Sequence, residues 1–130
     1  MKRRLLATIA CALGLGACAT SLPATPTAYA AGDTVFEGWV RFSGEEFELN
    51  ADQDQVLQPL GRPCVSGSLP LDLLRQAKAD LNNQRVRITG RAQAWSENLP
   101  GDRINYAGVN IRNTCGAAFV ILADRMVPIA

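Results

Sequence analysis

Residues 70–95 read PLDLLRQAKADLNNQRVRITGRAQAW, and within them the hydrophobic period changes from helical to extended. In the first half Leu74, Ala77 and Leu81 recur at helical spacing and form a narrow apolar stripe. Pro70 suits a first helical turn, Asp72 complements the helix dipole, and Asn82-Asn83 supplies a stop. In the second half Val86, Ile88, Ala92 and Ala94 alternate with Arg85, Arg87, Thr89, Arg91 and Gln93. That is the period of a half-buried strand, Arg85–Trp95, with Gly90 on its apolar side. A helix over residues 70–81 therefore feeds a long strand with no room for a lengthy connection.

Upstream the pattern is extended. Thr34–Phe42 places Phe36, Gly38, Val40 and Phe42 on one face and Val35, Glu37, Trp39 and Arg41 on the other. Ser43-Gly44 is a turn signal. Glu46–Ala51 alternates again, with Phe47, Leu49 and Ala51 inward and Glu46, Glu48 and Asn50 outward, so the two strands are expected to form a hairpin. The polar stretch Asp52–Gln58 leads into Pro59, Gly61 and Pro63, where irregular chain is expected, and Cys64-Val65 is a short strand. Downstream, Ser96–Asp102 reads as a loop. Ile104–Arg112 reads as one strand whose phase slips at a bulge around Gly108. Ala118–Ala123 has the composition of a buried strand, and Val127-Pro128-Ile129 that of an edge.

This order, three strands, a helix, then further strands, resembles the OB-fold, a small five-stranded barrel with its helix between the third and fourth strands. Asn83–Arg91 is similar to the helix-to-strand junction of such domains. The expected fold class is thus mainly β, an OB-fold-like β-barrel with one α-helix. Ala118–Ala123 would be a strand beyond the five-strand plan, and a partly open barrel or an α+β roll would use the same elements.

The N-terminus carries an address. Met1-Lys2-Arg3-Arg4 is basic and is followed by an apolar run from Leu5 to about Leu13, too short for the ~20 residues a bilayer requires. Leu15-Gly16-Ala17-Cys18 resembles the lipobox of bacterial lipoprotein signal peptides. The resemblance implies cleavage behind Ala17 and lipidation of Cys18. Ala19 in place of an inner-membrane retention Asp implies an outer-membrane anchor facing the periplasm. Residues 1–17 would be the signal peptide, 18–32 the lipid anchor and an uncharged Ala/Thr/Pro/Ser tether, and 33–130 the folded domain. The alternative is a soluble periplasmic protein cut behind Ala30. Ala19–Gly32, as a partly polyproline-II chain, would reach at most about 43 Å.

The whole chain of 130 residues has 13 Lys+Arg and 12 Asp+Glu, but cleavage behind Ala17 leaves 10 against 12, a balance of −2. Nothing in that balance favours a nucleic-acid partner. Of the four cysteines, Cys11 lies in the signal run and Cys18 is the lipid acceptor. Cys64 and Cys115 remain, an even pair expected to form a disulfide in an oxidising compartment. Closing a loop of about 50 residues would add about 4 kcal/mol in the chain-entropy account.

The chain has no histidine, which excludes Ser-His-Asp and Cys-His nucleophilic catalysis and histidine-ligated metals. No cofactor motif is present, and a non-enzymatic protein is expected. The leading contact candidate is the row Arg85, Arg87 and Arg91, with Trp39 and Trp95 as aromatic neighbours, a pattern that suits an anionic or glycan ligand. Its bland counterpart is a solvated face paired with Glu46, Glu48 and Asp80. Glu45, Glu46, Glu48, Asp52 and Asp54 lack the glycine and terminal glutamate of a calcium loop and read as a solvated hairpin and loop. The loop Trp95–Asp102 and the segment Asn113–Gly116 are further contact candidates. The expected function is a binding or structural module of the cell envelope, meeting another envelope protein or a glycan. An inhibitor or immunity-type module that blocks a periplasmic hydrolase is the alternative.

Overall fold

A computed structural model describes residues 28–57, 63–96 and 100–130. The elements in order are β1 (Val35–Ser43), β2 (Glu46–Asn50), α1 (Gln53–Val56), β3 (Val65–Ser68), α2 (Leu71–Leu81), β4 (Arg85–Ala94), β5 (Ile104–Tyr106), β6 (Val109–Ile111) and β7 (Phe119–Pro128). Five strands close into a barrel in the order β1-β2-β3-β7-β4, and β4 pairs back to β1. Every pairing is antiparallel except β3 with β7. This is the expected mainly-β, OB-fold-like barrel with its main helix between the third and fourth strands.

The alternation in the sequence decides what fills the barrel. Phe36, Val40, Phe47, Leu49, Val65, Val86, Ile88 and Ile121 point inward and are almost wholly buried. Each such side chain contributes roughly 1.5–3 kcal/mol on leaving water. α2 runs from the end of β3 to the start of β4, so it caps one mouth, turning Leu74 and Ala77 inward. Its Asn82-Asn83 stop also has a structural role. The Phe42 amide donates to Asn82 Oδ1 at 2.8 Å, and the Asn83 amide donates to the Val40 carbonyl at 2.7 Å. The helix end is thereby laced to β1.

The chain departs from expectation at three places. The phase slip near Gly108 is a reversal of the chain and not a bulge: Ala107 and Gly108 both have positive φ (47° and 89°), and β5 and β6 pair as a separate hairpin. Two consecutive left-handed residues are what a tight two-residue hairpin turn requires. The segments expected as a buried strand and a terminal edge are one strand, β7, which is the fifth strand of the barrel. The element beyond the five-strand plan is therefore the β5–β6 hairpin. A register shift between Thr89 and Gly90 lets β4 follow the curl of β7 across its whole length. Finally, the polar stretch after β2 contains one helical turn, α1, whose Val56 is buried.

Candidate binding surfaces

In an OB barrel the outer face of strands two and three, with the loops joining strands one to two and four to five, commonly carries the ligand. Here that face is occupied by the chain's own connection between β4 and β7. Ile104, Tyr106 and Ile111 of the hairpin pack with Trp95 on Val120 and Leu122, forming a second apolar cluster outside the barrel. The chain after β6 then crosses β2 and β3.

Glu46 organises this crossing. Its alternation is outward, as the sequence suggests, yet it is only 4% exposed. Its carboxylate accepts from the Arg112 amide at 2.7 Å and from the Thr114 amide and hydroxyl, both at 3.0 Å. Beside it the Cys115 amide donates to Ser66 Oγ at 3.0 Å. The Asn113 side chain donates to the Ala117 carbonyl at 2.9 Å and fixes the turn of the crossing segment. The disulfide Cys64–Cys115 closes the arrangement, with the two Cα atoms 5.4 Å apart. The expectation of a solvated acidic face thus fails at Glu46 and Glu48, both buried. Among the described residues no group of three His, Cys, Asp or Glu side chains comes together as a metal site.

The arginine row lies on the outer face of β4, but it is divided among separate partners. Arg87 Nε donates to Glu37 Oε2 at 2.6 Å, an exposed pair set by the Glu37–Arg87 register of β1 and β4. Arg85 sits opposite Trp39 and donates to the Ala130 carbonyl at 2.5 Å. Arg91 lies near Tyr106, whose hydroxyl donates to the Ala123 carbonyl at 2.9 Å. Burial and then the Asp124 carboxylate raise the Tyr106 pKa, while the Arg91 charge opposes the rise. The two tryptophans belong to opposite ends of the row, about 33 Å apart along an extended strand. Trp95 is committed to the second apolar cluster. Asp80 accepts a hydrogen bond from Gln76 of its own helix.

Two surfaces that the sequence reading did not single out are concave. A polar cleft of about 380 Å³ opens between the β1–β2 turn and the hairpin, lined by Glu45, Arg103, Asn110 and Arg112. The register that pairs Ile104 with Ile111 sets Arg103 opposite Arg112, and both are exposed. A second, larger groove of about 570 Å³ lies between α2 and the C-terminal half of β7. The long-range pairing that creates these two surfaces leaves no local signal. The acidic face, in contrast, had one: a Cys64–Cys115 bridge must draw residues 112–117 across the strand that follows Cys64.

At the opposite mouth from α2, Tyr29 packs edge-on against Phe36, their ring centroids 6.1 Å apart, and its hydroxyl donates to the Glu37 carbonyl at 2.8 Å. A Cβ at Gly38 would collide with that hydroxyl and with the Asn50 carbonyl, so glycine there makes the berth. Burial, and then the charge of Asp52, pushes the Tyr29 pKa up to about 12. The Asp33 carboxylate receives the Ala30 amide at 3.0 Å and ties the segment down. Tyr29 and Ala30, expected within the tether, are therefore docked on the barrel. Residues 1–27, with Cys18, residues 58–62, which include the expected irregular positions Pro59 and Gly61, and residues 97–99 of the Trp95–Asp102 loop lie outside the described residues. No helix among the described residues is long and apolar enough to cross a membrane.

Comparison with known proteins returned nothing: no family model, no curated protein and no solved structure matches this chain.

Proposed function

We propose that this chain is a lipid-anchored, non-enzymatic binding module of the bacterial cell envelope, tethered through Cys18 to the outer membrane and facing the periplasm. The observation that carries the reading is Tyr29. The competing signal cleavage, behind Ala30, would remove from the mature protein a side chain that the barrel accommodates with a glycine at position 38. Cleavage behind Ala17 keeps it. The Cys64–Cys115 disulfide suits the same oxidising compartment and occupies the only two thiols the domain would retain. Mass spectrometry of the mature protein from envelope fractions tests the reading. A lipid-modified chain beginning at Cys18 is the expected result; an unmodified chain beginning at Ala31 overturns the anchor.

A second reading, an anionic or glycan ligand, draws on the arginines. Arg87 is already paired, whereas Arg103 and Arg112, one step beyond the last paired residues of the hairpin, line one cleft with no ion pair among the described residues, Arg103 Nε donating only to the Gly101 carbonyl. Like charges directly opposite on paired strands repel, and an anion between them would relieve the repulsion. On this reading isolated peptidoglycan retains the protein, Arg103→Glu with Arg112→Glu abolishes retention, and Arg85→Glu with Arg91→Glu leaves it unchanged. Recovery of a single hydrolase from envelope extract, with no retention by peptidoglycan, would instead favour the inhibitor class.

A further inference from the structure

β3 is short. It pairs with β7 only at Gly67–Ile121 and Ser68–Leu122, and the chain then leaves through Leu69-Pro70 into α2. β7 continues for six more residues to Pro128, paired along its other side with β4. The lane that a longer β3 would occupy is therefore empty beside Asp124–Pro128. The groove between α2 and β7 is that lane: Leu69, Leu73, Ala77, Leu81, Met126 and Pro128 line it, with Asp80 and Arg125 at its margins. Its volume of about 570 Å³ falls within the range of sites that hold one small ligand.

The backbone along the lane has a definite polarity. The Ile129 amide donates to the Arg85 carbonyl, so Arg85 and Ile129 form a hydrogen-bonded pair. In an antiparallel ladder such pairs alternate with pairs whose backbone groups face away. Arg87–Val127 and Thr89–Arg125 accordingly turn toward β4, while Met126 presents its N–H and C=O to the lane. Pro128, which has no N–H to offer, falls in the same outward phase, as prolines at strand edges do. The Tyr106 hydroxyl takes the Ala123 carbonyl and marks the upstream limit.

The geometry points to this groove as a site for strand addition: an extended peptide segment of a partner protein, apolar at alternate positions, lies between α2 and the edge of β7. Its backbone exchanges hydrogen bonds with Met126 and its apolar side chains meet Leu73, Ala77 and Leu81. Charge complementarity selects a peptide over an acyl chain. The two walls carry opposite charges, Asp80 on the helix and Arg125 on the strand. A peptide bearing one basic and one acidic residue satisfies both, whereas the single carboxylate of a fatty acid would meet Arg125, supply no cation to Asp80 and offer no backbone groups to Met126. This inference gives the binding-module reading a partner chemistry, and it does not depend on how the N-terminus is processed.

A displayed pool of random heptapeptides, selected on the full mature chain, tests it. Enriched peptides are expected to alternate apolar residues with at least one basic and one acidic position. Binding should fall at least tenfold with Leu73→Glu, a residue 44% exposed whose change does not threaten the core. It should fall similarly when alternate peptide amides are N-methylated. Exchange of the Met126 amide should slow at least tenfold in the complex. The proposal is overturned if no peptide is enriched, if enriched peptides bind the Leu73→Glu chain equally, or if N-methylation is without effect. It is also overturned if palmitate binds the groove while the peptides do not. The lipid-anchor reading fails on a different measurement, the mass of the mature N-terminus.

Discussion

Glu46 is a charged side chain that holds one backbone segment against another. All three of its donors belong to residues 112–114, so its carboxylate stands where water would otherwise solvate those groups. Removing a buried acceptor costs more than the net value of the bonds, because the donors are left without partners. Glu46→Ala should lower unfolding stability by about 3 kcal/mol in urea titrations. Arg87→Ala, which breaks an exposed pair, should cost less than ~1 kcal/mol. Similar losses for the two variants would deny Glu46 this role. Tyr29 gives a pH signature. Its hydroxyl ionises near 10.0 when solvated and is pushed to about 12 in its berth. A raised phenol pKa favours the folded state fully below pH 10.0, and the advantage is lost as pH rises toward 12. Stability should therefore decline across that interval, and Tyr29→Phe should flatten the decline. An unchanged slope would place the titration elsewhere.

Among the elements, the ones that alternate by themselves were legible from sequence. β1, β2, α2 and β4 each carry their own period, and the inward residues Phe36, Val40, Phe47, Leu49, Leu74, Val86 and Ile88 are buried. Ala51 and Ala94, expected inward, are exposed at the strand ends, and the outward Glu46 and Glu48 are buried as well. Elements whose identity depends on a distant partner were not. Ile104–Arg112 has a phase slip that a bulge and a hairpin explain equally well until β5 and β6 are seen to pair. β7 reads as two pieces in sequence because the polar Asp124-Arg125 sits where its pairing shifts past β4. The same blindness hid the cover over β2 and β3. Its outward faces read as solvent-exposed, and only the disulfide hinted that another segment lies on them. Of the candidate contact residues, Trp39 and Arg85 are neighbours across β1 and β4, while Trp95 belongs to the second apolar cluster. If the cover is clamped at Cys64–Cys115, reduction should loosen it before the barrel. The Cys64→Ser, Cys115→Ser chain should lose about 2–5 kcal/mol of stability. Amide exchange should accelerate first over residues 109–117, with β1 and β4 protected longer. Uniform acceleration would mean that cover and barrel open as one unit.

At the scale of the molecule the two barrel mouths differ. α2 closes one and leaves the β7 edge and its groove beside it; α1 and Tyr29 close the other. Under the proposed anchor at Cys18 the chain would join the fold at Tyr29, with the ten residues Ala19–Ala28 between them, a contour of at most about 31 Å at ~3.1 Å per residue. Under that proposal the groove, at the mouth opposite Tyr29, would lie at the end of the barrel away from the anchor. This arrangement requires the Tyr29 segment to be part of the folded unit, which can be measured directly. A chain beginning at Ala31 loses the Tyr29–Phe36 contact and the bond to the Glu37 carbonyl. Half-burial of one aromatic ring and one hydrogen bond together contribute about 1–2 kcal/mol. For a domain of this size that corresponds to a melting temperature lower by about 5–15 °C. Gly38→Ala in the chain beginning at Cys18 should produce a loss of similar sign, because its new methyl group competes with Tyr29 for the same space. In the chain beginning at Ala31 the same substitution should cost less, only the Asn50 carbonyl still opposing it. If the two chains melt together, or if Gly38→Ala costs the same in both, the segment is a passive tether and does not orient the barrel.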